Sequence, residues 1–470
     1  MKRQPLFIVF FLIVSYLLVL SSCKKDSFIS SSEANLRTSA DSLKYDTVFT
    51  TTGSITKSFK IFNDNNQKLR LSKVKLMGGI TSPYKMNVDG VATSEADNID
   101  IEANDSIYVF VSVTINPTTA NLAFIISDSI LINYNGNNRY VQLQAYGQNA
   151  NFLRNRVITG NTTWTNNLPY VILGSLRIDT TASLTIQPGC RIYSHADAPF
   201  IVDGTLIVNG TKPDSVVFAG DRLDPDYKDL PAGWPGIYFR EQSKNNVLRY
   251  AVVKNAYQAI VADKPSPNAS PKVILHQCII DNAYNTGILC MNTSLQADNS
   301  LISNCGNNVV LNYGGDYNLT HCTVAGYSNY YIDHKEPVLF VTNYAVQNGN
   351  TITADLTAVF RNCIFWGDSG FIEDEVAVSK QGTNTFNVLF EKNIYRALHD
   401  PANSTLTGNI INIDPSFDSI DVFKRIYDFR ITKNTAAPGI NKGAGTAFAF
   451  DLDGNNRNVG IPDIGCYEKQ

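Results

Sequence analysis

The chain has 470 residues, and its 39 Lys and Arg stand against 42 Asp and Glu, a net charge of −3. No basic surplus is available for a phosphate backbone, which argues against a nucleic-acid partner. Long amphipathic helical periodicity is absent while short β-prone runs recur between Gly, Asn and Pro turns, so the chain reads as all-β.

Lys2 and Arg3 precede an apolar run from Leu6 to Leu20 that is broken only by Ser15. That length falls short of the ~20 residues of a membrane span and suits the apolar core of a secretory signal. The run ends in Leu20-Ser21-Ser22-Cys23, which resembles the lipobox of bacterial lipoprotein signals. The resemblance implies cleavage after residue 22, a lipid on Cys23 and a mature protein held at the cell envelope, at the outer membrane. Residues 23–45, rich in Ser, Lys and Asp, read as a flexible tether. From 46 to 149, strands such as Ser106–Val113 alternate with turns, and Asn135-Gly136 sits between two β-prone runs. This pattern resembles the small immunoglobulin-like sandwiches that precede β-helices in lipoproteins of the Bacteroidetes.

Residues 150–446 carry a repeat. Segments beginning at Ala251, Cys278, Ser300, Cys322 and Cys363 superimpose at offsets of 27, 22, 22 and 41 residues. A 22-residue unit at ~3.3 Å per residue is one coil of a parallel β-helix with three short faces, and successive coils stack at ~4.8 Å. Asn255, Asn282 and Asn304 then share one corner, as a ladder whose amides bond along the axis. Cys278, Ser300, Cys322 and Cys363 share one inward position. Cys278 and Cys322 are two coils apart, too far for a disulfide, so buried free thiols are expected.

The repeat resembles the right-handed parallel β-helix superfamily that includes pectate lyases and polygalacturonases. The closing segment, 447–470, adds Asp451-Leu452-Asp453-Gly454-Asn455-Asn456-Arg457 and Asp463-Ile464-Gly465-Cys466-Tyr467-Glu468. It is similar to the end of many bacterial β-helix lipoproteins, with Cys466 in place of their usual alanine. Arg457 is expected to bridge Asp451 or Asp463. The fold class expected is an immunoglobulin-like sandwich followed by a right-handed parallel β-helix.

Catalytic signals are sparse. The Asp-Asp pair and Gly-His-Gly motif of polygalacturonases are absent. Tyr331-Ile332-Asp333-His334 matches a fragment of a pectate-lyase motif, but the later Arg-Pro-Arg strand is missing. His195, His276, His321, His334 and His399 show no triad or metal spacing, and His276 and His321 are expected on a solvent-facing side. In the acidic loop from Asp221 to Trp234, carboxylates of Asp224, Asp226 and Asp229 are candidate Ca²⁺ ligands. Tyr227 and Trp234 are candidate contacts for a sugar; the alternative is a solvated loop whose Trp234 covers the strand beginning at Ile237. The function expected is a non-catalytic lipoprotein that binds a polysaccharide or a cell-envelope protein. The alternatives are a polysaccharide lyase or glycoside hydrolase with an atypical site, and a surface adhesin.

Overall fold

The computed structural model describes residues 27–49, 54–116, 124–368, 370–457 and 459–469. The expected signal segment 1–22 and Cys23 lie outside them. Two compact units divide the chain, 1–149 and 150–470. Among the described residues there is no α-helix, and no helix is long and apolar enough to cross a membrane.

The first unit is two five-stranded sheets around one core. One sheet runs Leu36–Thr38, Lys57–Asn63, Ser106–Val113, Tyr84–Val88 and Val91–Ala92, antiparallel throughout. The other runs Ser42–Phe49, Asn137–Gln148, Phe124–Tyr134, Leu69–Leu76 and Glu95–Ile101, and only its first pair is parallel. The Tyr45 hydroxyl crosses the core to donate to the Val111 carbonyl at 2.6 Å. Asn135 and Gly136, at φ 45° and 80°, close a two-residue hairpin whose positive φ values suit Asn-Gly. The expected tether needs correction over its described part. Leu36–Thr38 and the start of Ser42–Phe49 are strands, with Leu36, Thr38, Leu43 and Tyr45 buried. Their apolar residues alternate with Ser, Lys and Asp on the other face, and that alternation was hidden by the polar composition.

The second unit is a parallel β-helix: a 26-stranded assembly in which every strand pairing is parallel. Each coil contributes a strand to three faces. Face A includes Phe200–Val202, Ile237–Phe239 and Leu339–Thr342; face B includes Thr205–Asn209, Val273–His276 and Leu356–Arg361; face C includes Ala251–Lys254, Leu301–Ser303 and Ile364–Gly367. On face C, Val252 pairs with Ile279, Ile279 with Leu301, Leu301 with Thr323 and Thr323 with Ile364, which are the offsets read from the sequence. Inward residues of all three faces form one dry core.

The turn from face B to face C is made by one residue with positive φ: Gln277, Asn299, His321, Asn362 and Lys392, at 53°, 47°, 52°, 56° and 57°. Each still donates its own N–H to the next coil, but the following N–H turns inward, away from the strand ladder. A side chain of the next coil receives it. Cys278 N–H donates to Ser300 Oγ at 3.0 Å, Cys322 to Cys363 Sγ at 3.4 Å, Cys363 to Asn393 Oδ1 at 2.8 Å and Asn393 to Asn409 Oδ1 at 2.9 Å. The same side chains donate back to carbonyls: Ser300 to Asp298, Cys363 to Arg361 and Asn393 to Phe360. In the same column the Cys278 thiol donates to the Leu248 carbonyl at 3.2 Å, and burial pushes it up to about 12. The seven described cysteines are all buried and free.

Residues after the last coil return along the outside of face C. Phe429, Leu452, Cys466 and Tyr467 pack on Leu301 and Ala325, and Ile464 packs on Ile364 and Ile394. The corner residues hold this arm: Gln277 Nε2 donates to Asp451 O at 2.9 Å, and Asn299 Oδ1 accepts from Arg457 Nε at 2.7 Å. Arg457 is fully buried and pairs with Glu468 at 2.8 Å rather than with the carboxylate of Asp451 or Asp463. Those two carboxylates instead accept backbone N–H groups, from Asn455 and Glu468 and from Asn441 and Lys469. His321 does not face solvent; it is wholly buried under the arm, and its Nε2 accepts from Asn362 Nδ2 at 3.0 Å.

Two predictions follow from these contacts. Ser300→Ala leaves the Cys278 N–H without its inward acceptor and should cost about 1–3 kcal/mol in chemical denaturation. Ser300→Cys, which matches neighbouring rungs, should recover most of the loss; equal stability of Ser300→Ala and wild type would contradict the ladder. Burial, and then the nearby Arg457 charge, hold His321 well below its ordinary 6.5. Its contribution is therefore complete above that value and lost as pH falls through it, by up to about 2 kcal/mol at pH 5. Denaturation at pH 7.5 and 5.0 should show this slope flattened in His321→Asn.

Candidate functional site: a polar cavity at the asparagine corner

Asn255, Asn282 and Asn304 turn face C toward face A at φ 60°, 57° and 53°. Asparagine tolerates this conformation better than other residues with a side chain beyond Cβ. One rung of the expected ladder forms, with Asn282 Nδ2 donating to Asn255 Oδ1 at 2.8 Å. Asn304 breaks the series because its amide turns to Asp281 Oδ1 at 3.4 Å. The remaining capacity of the corner holds the acidic loop: Asn255 donates to the Lys228 carbonyl at 2.7 Å and Asn282 to that of Asp229 at 3.1 Å.

The acidic loop therefore docks through its backbone. Its three candidate carboxylates are not brought together, and no group of three His, Cys, Asp or Glu among the described residues is placed to hold a metal ion. Asp224 is instead ion-paired with Arg222 at 3.0 Å. Trp234 is also a correction: it is 1% exposed, packs in the β-helix core and donates Nε1 to the Lys254 carbonyl. An indole with its N–H satisfied inside a dry core presents no face to a sugar. Tyr227 is half exposed, with the Arg222 guanidinium 3.8 Å from its ring centre.

Asp229 lies at the edge of a cavity of about 400 Å³, which Asp281, Asn304, Arg425 and Tyr427 also line. Asp281 projects outward from face C, and its Oδ1 accepts from Ser303 Oγ at 2.7 Å. Burial pushes its carboxyl above the usual range, and the Ser303 and Asn304 bonds pull in the other direction. Arg425, at φ 56°, turns the hairpin between Ser419–Asp421 and Ile426–Asp428 on the returning arm. Its guanidinium donates to the Asp229 carbonyl at 2.8 Å and lies 5.4 Å from the Tyr331 ring centre. Two buried atoms in this wall have no partner among the described residues: Asn304 Oδ1 and the Tyr427 hydroxyl.

The cavity thus joins three segments far apart in sequence. The acidic loop and the asparagine corner were recognisable from composition and spacing. Arg425 and Tyr427 were not, because the hairpin that carries them has no repeat or motif; a short Asp-x-x-Lys-Arg turn between two β-prone runs was its only signal.

His334, from the Tyr331–His334 tetrapeptide, has a different setting. It is buried against Glu375 at 3.0 Å, and Glu375 in turn pairs with Arg396 at 2.7 Å. Glu375 also accepts the Val338 N–H. These contacts tie two inserted loops to the coil, where the histidine and Glu375 are closed to any substrate.

No protein-family model matches the chain, and no curated protein is significantly similar to it. Among solved structures, a family 123 glycoside hydrolase from Clostridium perfringens, studied for glycolipid glycan hydrolysis, aligns at TM-score 0.20 and 9% identity. The match covers 28% of this chain and 30% of that one, under a third of the hydrolase's length. A PapD-like domain of human CEP192 aligns at TM-score 0.17 and 11% identity, over 27% of this chain and 92% of that one. With scores this low, function rests on the chain's own residues.

Asn282→Leu removes the bonds to Asp229 and Asn255 and should destabilise the β-helix by about 1–3 kcal/mol. Asn350→Leu, in an exposed hairpin, should stay within about 0.5 kcal/mol. Proteolysis should also cut the 221–234 loop faster in Asn282→Leu alone; equal behaviour of the two variants would refute the docking role.

Proposed function

We propose that the protein is an exported lipoprotein of the Bacteroidetes type, anchored to the outer membrane through Cys23, whose β-helix binds glycans without cleaving them. Support for the anchor is the order of charge, apolar run and Leu20-Ser21-Ser22-Cys23. An immunoglobulin-like first unit and the Asp463–Glu468 closing motif fit the same group of proteins.

The observation that carries the binding role is the polar cavity. Asn304 Oδ1 offers an acceptor, Tyr427 a hydroxyl and Arg425 a guanidinium, beside the carboxylate of Asp281. A wall that alternates donors and acceptors matches a polyol, whose hydroxyls need both at once. About 400 Å³ is room for a small ligand or one or two sugar rings. Tyr331, beside Arg425, supplies an exposed ring at the rim.

A glycoside hydrolase is the second reading, favoured by one feature: the raised carboxyl of Asp281 shares the cavity with Asp229, as a general acid and its partner must.

Two predictions test these roles. Cys23→Ala should lose fatty-acid labelling and leave the membrane fraction; membrane retention without label would contradict the anchor. On a glycan array the mature protein should bind a defined set of glycans. Asp281→Asn and Arg425→Ala should each weaken the strongest binder at least tenfold, since losing a charged hydrogen bond costs about 1.5–3 kcal/mol. Unchanged binding in both would remove the cavity from the account. Sugar release from that glycan, abolished by Asp281→Asn, would establish the hydrolase instead.

A further inference from the structure

We propose that the outer face of the wholly antiparallel sheet in the first unit docks on an anionic phospholipid surface. The proposal rests on the Cys23 anchor for nearness to a membrane, and on the strands themselves for the choice of face.

Sequence distance sets the reach. Cys23 stands five residues before Phe28, which bridges to Lys68 in the first unit. Five residues span at most about 17 Å, so a lipid on Cys23 would hold this unit that close to the headgroups. Lys68 lies in the turn joining Lys57–Asn63 of one sheet to Leu69–Leu76 of the other. Both outer faces therefore begin beside the tether.

Charge separates the two faces. The strands of the antiparallel sheet contain Arg37, Lys57, Lys60 and Lys85 and no Asp or Glu. Arg37 pairs at 3.1 Å with Asp64 at the sheet edge, while Lys60 and Lys85 have no ion-pair partner among the described residues. In the other sheet Arg70, Lys73 and Lys75 are matched by Asp100, Asp97 and Glu95 in direct ion pairs. An anionic surface attracts the first face and gains little from the second.

The same face carries aromatic rings. Side chains alternate along each strand, so Ile61, Val109 and Val111 enter the core while Phe62, Tyr108 and Phe110 stand outward. Tyr108 and Phe110 are 43% and 40% exposed, and their rings stack at 5.5 Å. Lys60, the strand partner of Tyr108, holds its ammonium 4.5 Å from that ring, and Arg37 lies 4.0 Å from the ring of Phe62. On the next strand Asn87 pairs with Phe110 and Lys85 with Ser112. Rings flanked by long cations suit the headgroup layer, where the rings enter and the cations lie along them with their charge on phosphate.

The test supplies the tether chemically, so its outcome is separate from that of Cys23 labelling. Residues 24–470, which retain every described residue, carry an N-terminal histidine tag and are held on vesicles by a nickel-chelating lipid. The vesicles are three parts phosphatidylethanolamine to one of phosphatidylglycerol, with acyl chains brominated near the headgroup as quencher. The three native tryptophans are buried, so a tryptophan placed at Phe110 reports the face. Tyr140→Trp, at a position 44% exposed on the outer face of the other sheet, is the control. Phe110→Trp should be quenched about threefold more than Tyr140→Trp. Replacing phosphatidylglycerol by phosphatidylcholine should remove about half of that quenching or more, and so should adding Lys60→Glu with Lys85→Glu. Equal quenching of the two tryptophans, stronger quenching of Tyr140→Trp, or none of either would overturn the proposal. An emission shift of Phe110→Trp that follows protein concentration without vesicles would assign the face to a second copy and also overturn it. Absence of fatty-acid label on Cys23 beside intact quenching would overturn the anchor and still support the face.

Discussion

The β-helix depends on one backbone constraint. A coil that turns from face B to face C through a single left-handed residue aims the next N–H into the core, where water cannot reach it. That N–H must find an acceptor on the following coil, and Ser300, Cys363, Asn393 and Asn409 supply it in turn. Each such side chain also donates to a carbonyl, so the column is satisfied on both sides. Stacking thus holds the register: a one-residue slip would replace these acceptors with the apolar neighbours of each strand.

With the interior fixed by this column, variation is confined to coil length and to the outer surface. Long coils project loops and hairpins; minimal coils leave recesses between them. The candidate site follows this rule. The Arg425 cavity lies over the minimal corners of Asn282 and Asn304, beside the acidic loop. The returning arm adds what a solenoid alone lacks. It covers the apolar outer residues of face C and brings Arg425 and Tyr427 to a wall that would otherwise hold only Asn and Asp.

Much of this was legible in the sequence because stacking imposes equivalence. The offsets of 27, 22, 22 and 41 correspond to pairings of Val252, Ile279, Leu301, Thr323 and Ile364. Asparagine at a fixed distance after each apolar triplet marked a left-handed corner, and small Cys and Ser residues marked an inward column. What those side chains bond was less legible. Asn304 is diverted to Asp281, and the inward N–H groups meet hydroxyl, thiol and amide side chains of a separate column rather than the asparagine corner. The strands at Leu36 and Ser42 were obscured because half of each faces solvent. The arm's docking could not be read at all, since Arg457, Glu468 and Arg425 find their partners by tertiary contact rather than by spacing.

The central functional claim is that the Arg425 cavity, over the short coils at the asparagine corner, is where glycans bind. Amide hydrogen exchange on the protein, with and without a saturating bound oligosaccharide, tests it most directly. The account predicts added protection in segments lining the Arg425 cavity: 228–230, 281–284, 303–306 and 424–428. Protection confined to the first unit, or to the outer strands of face A, would contradict it.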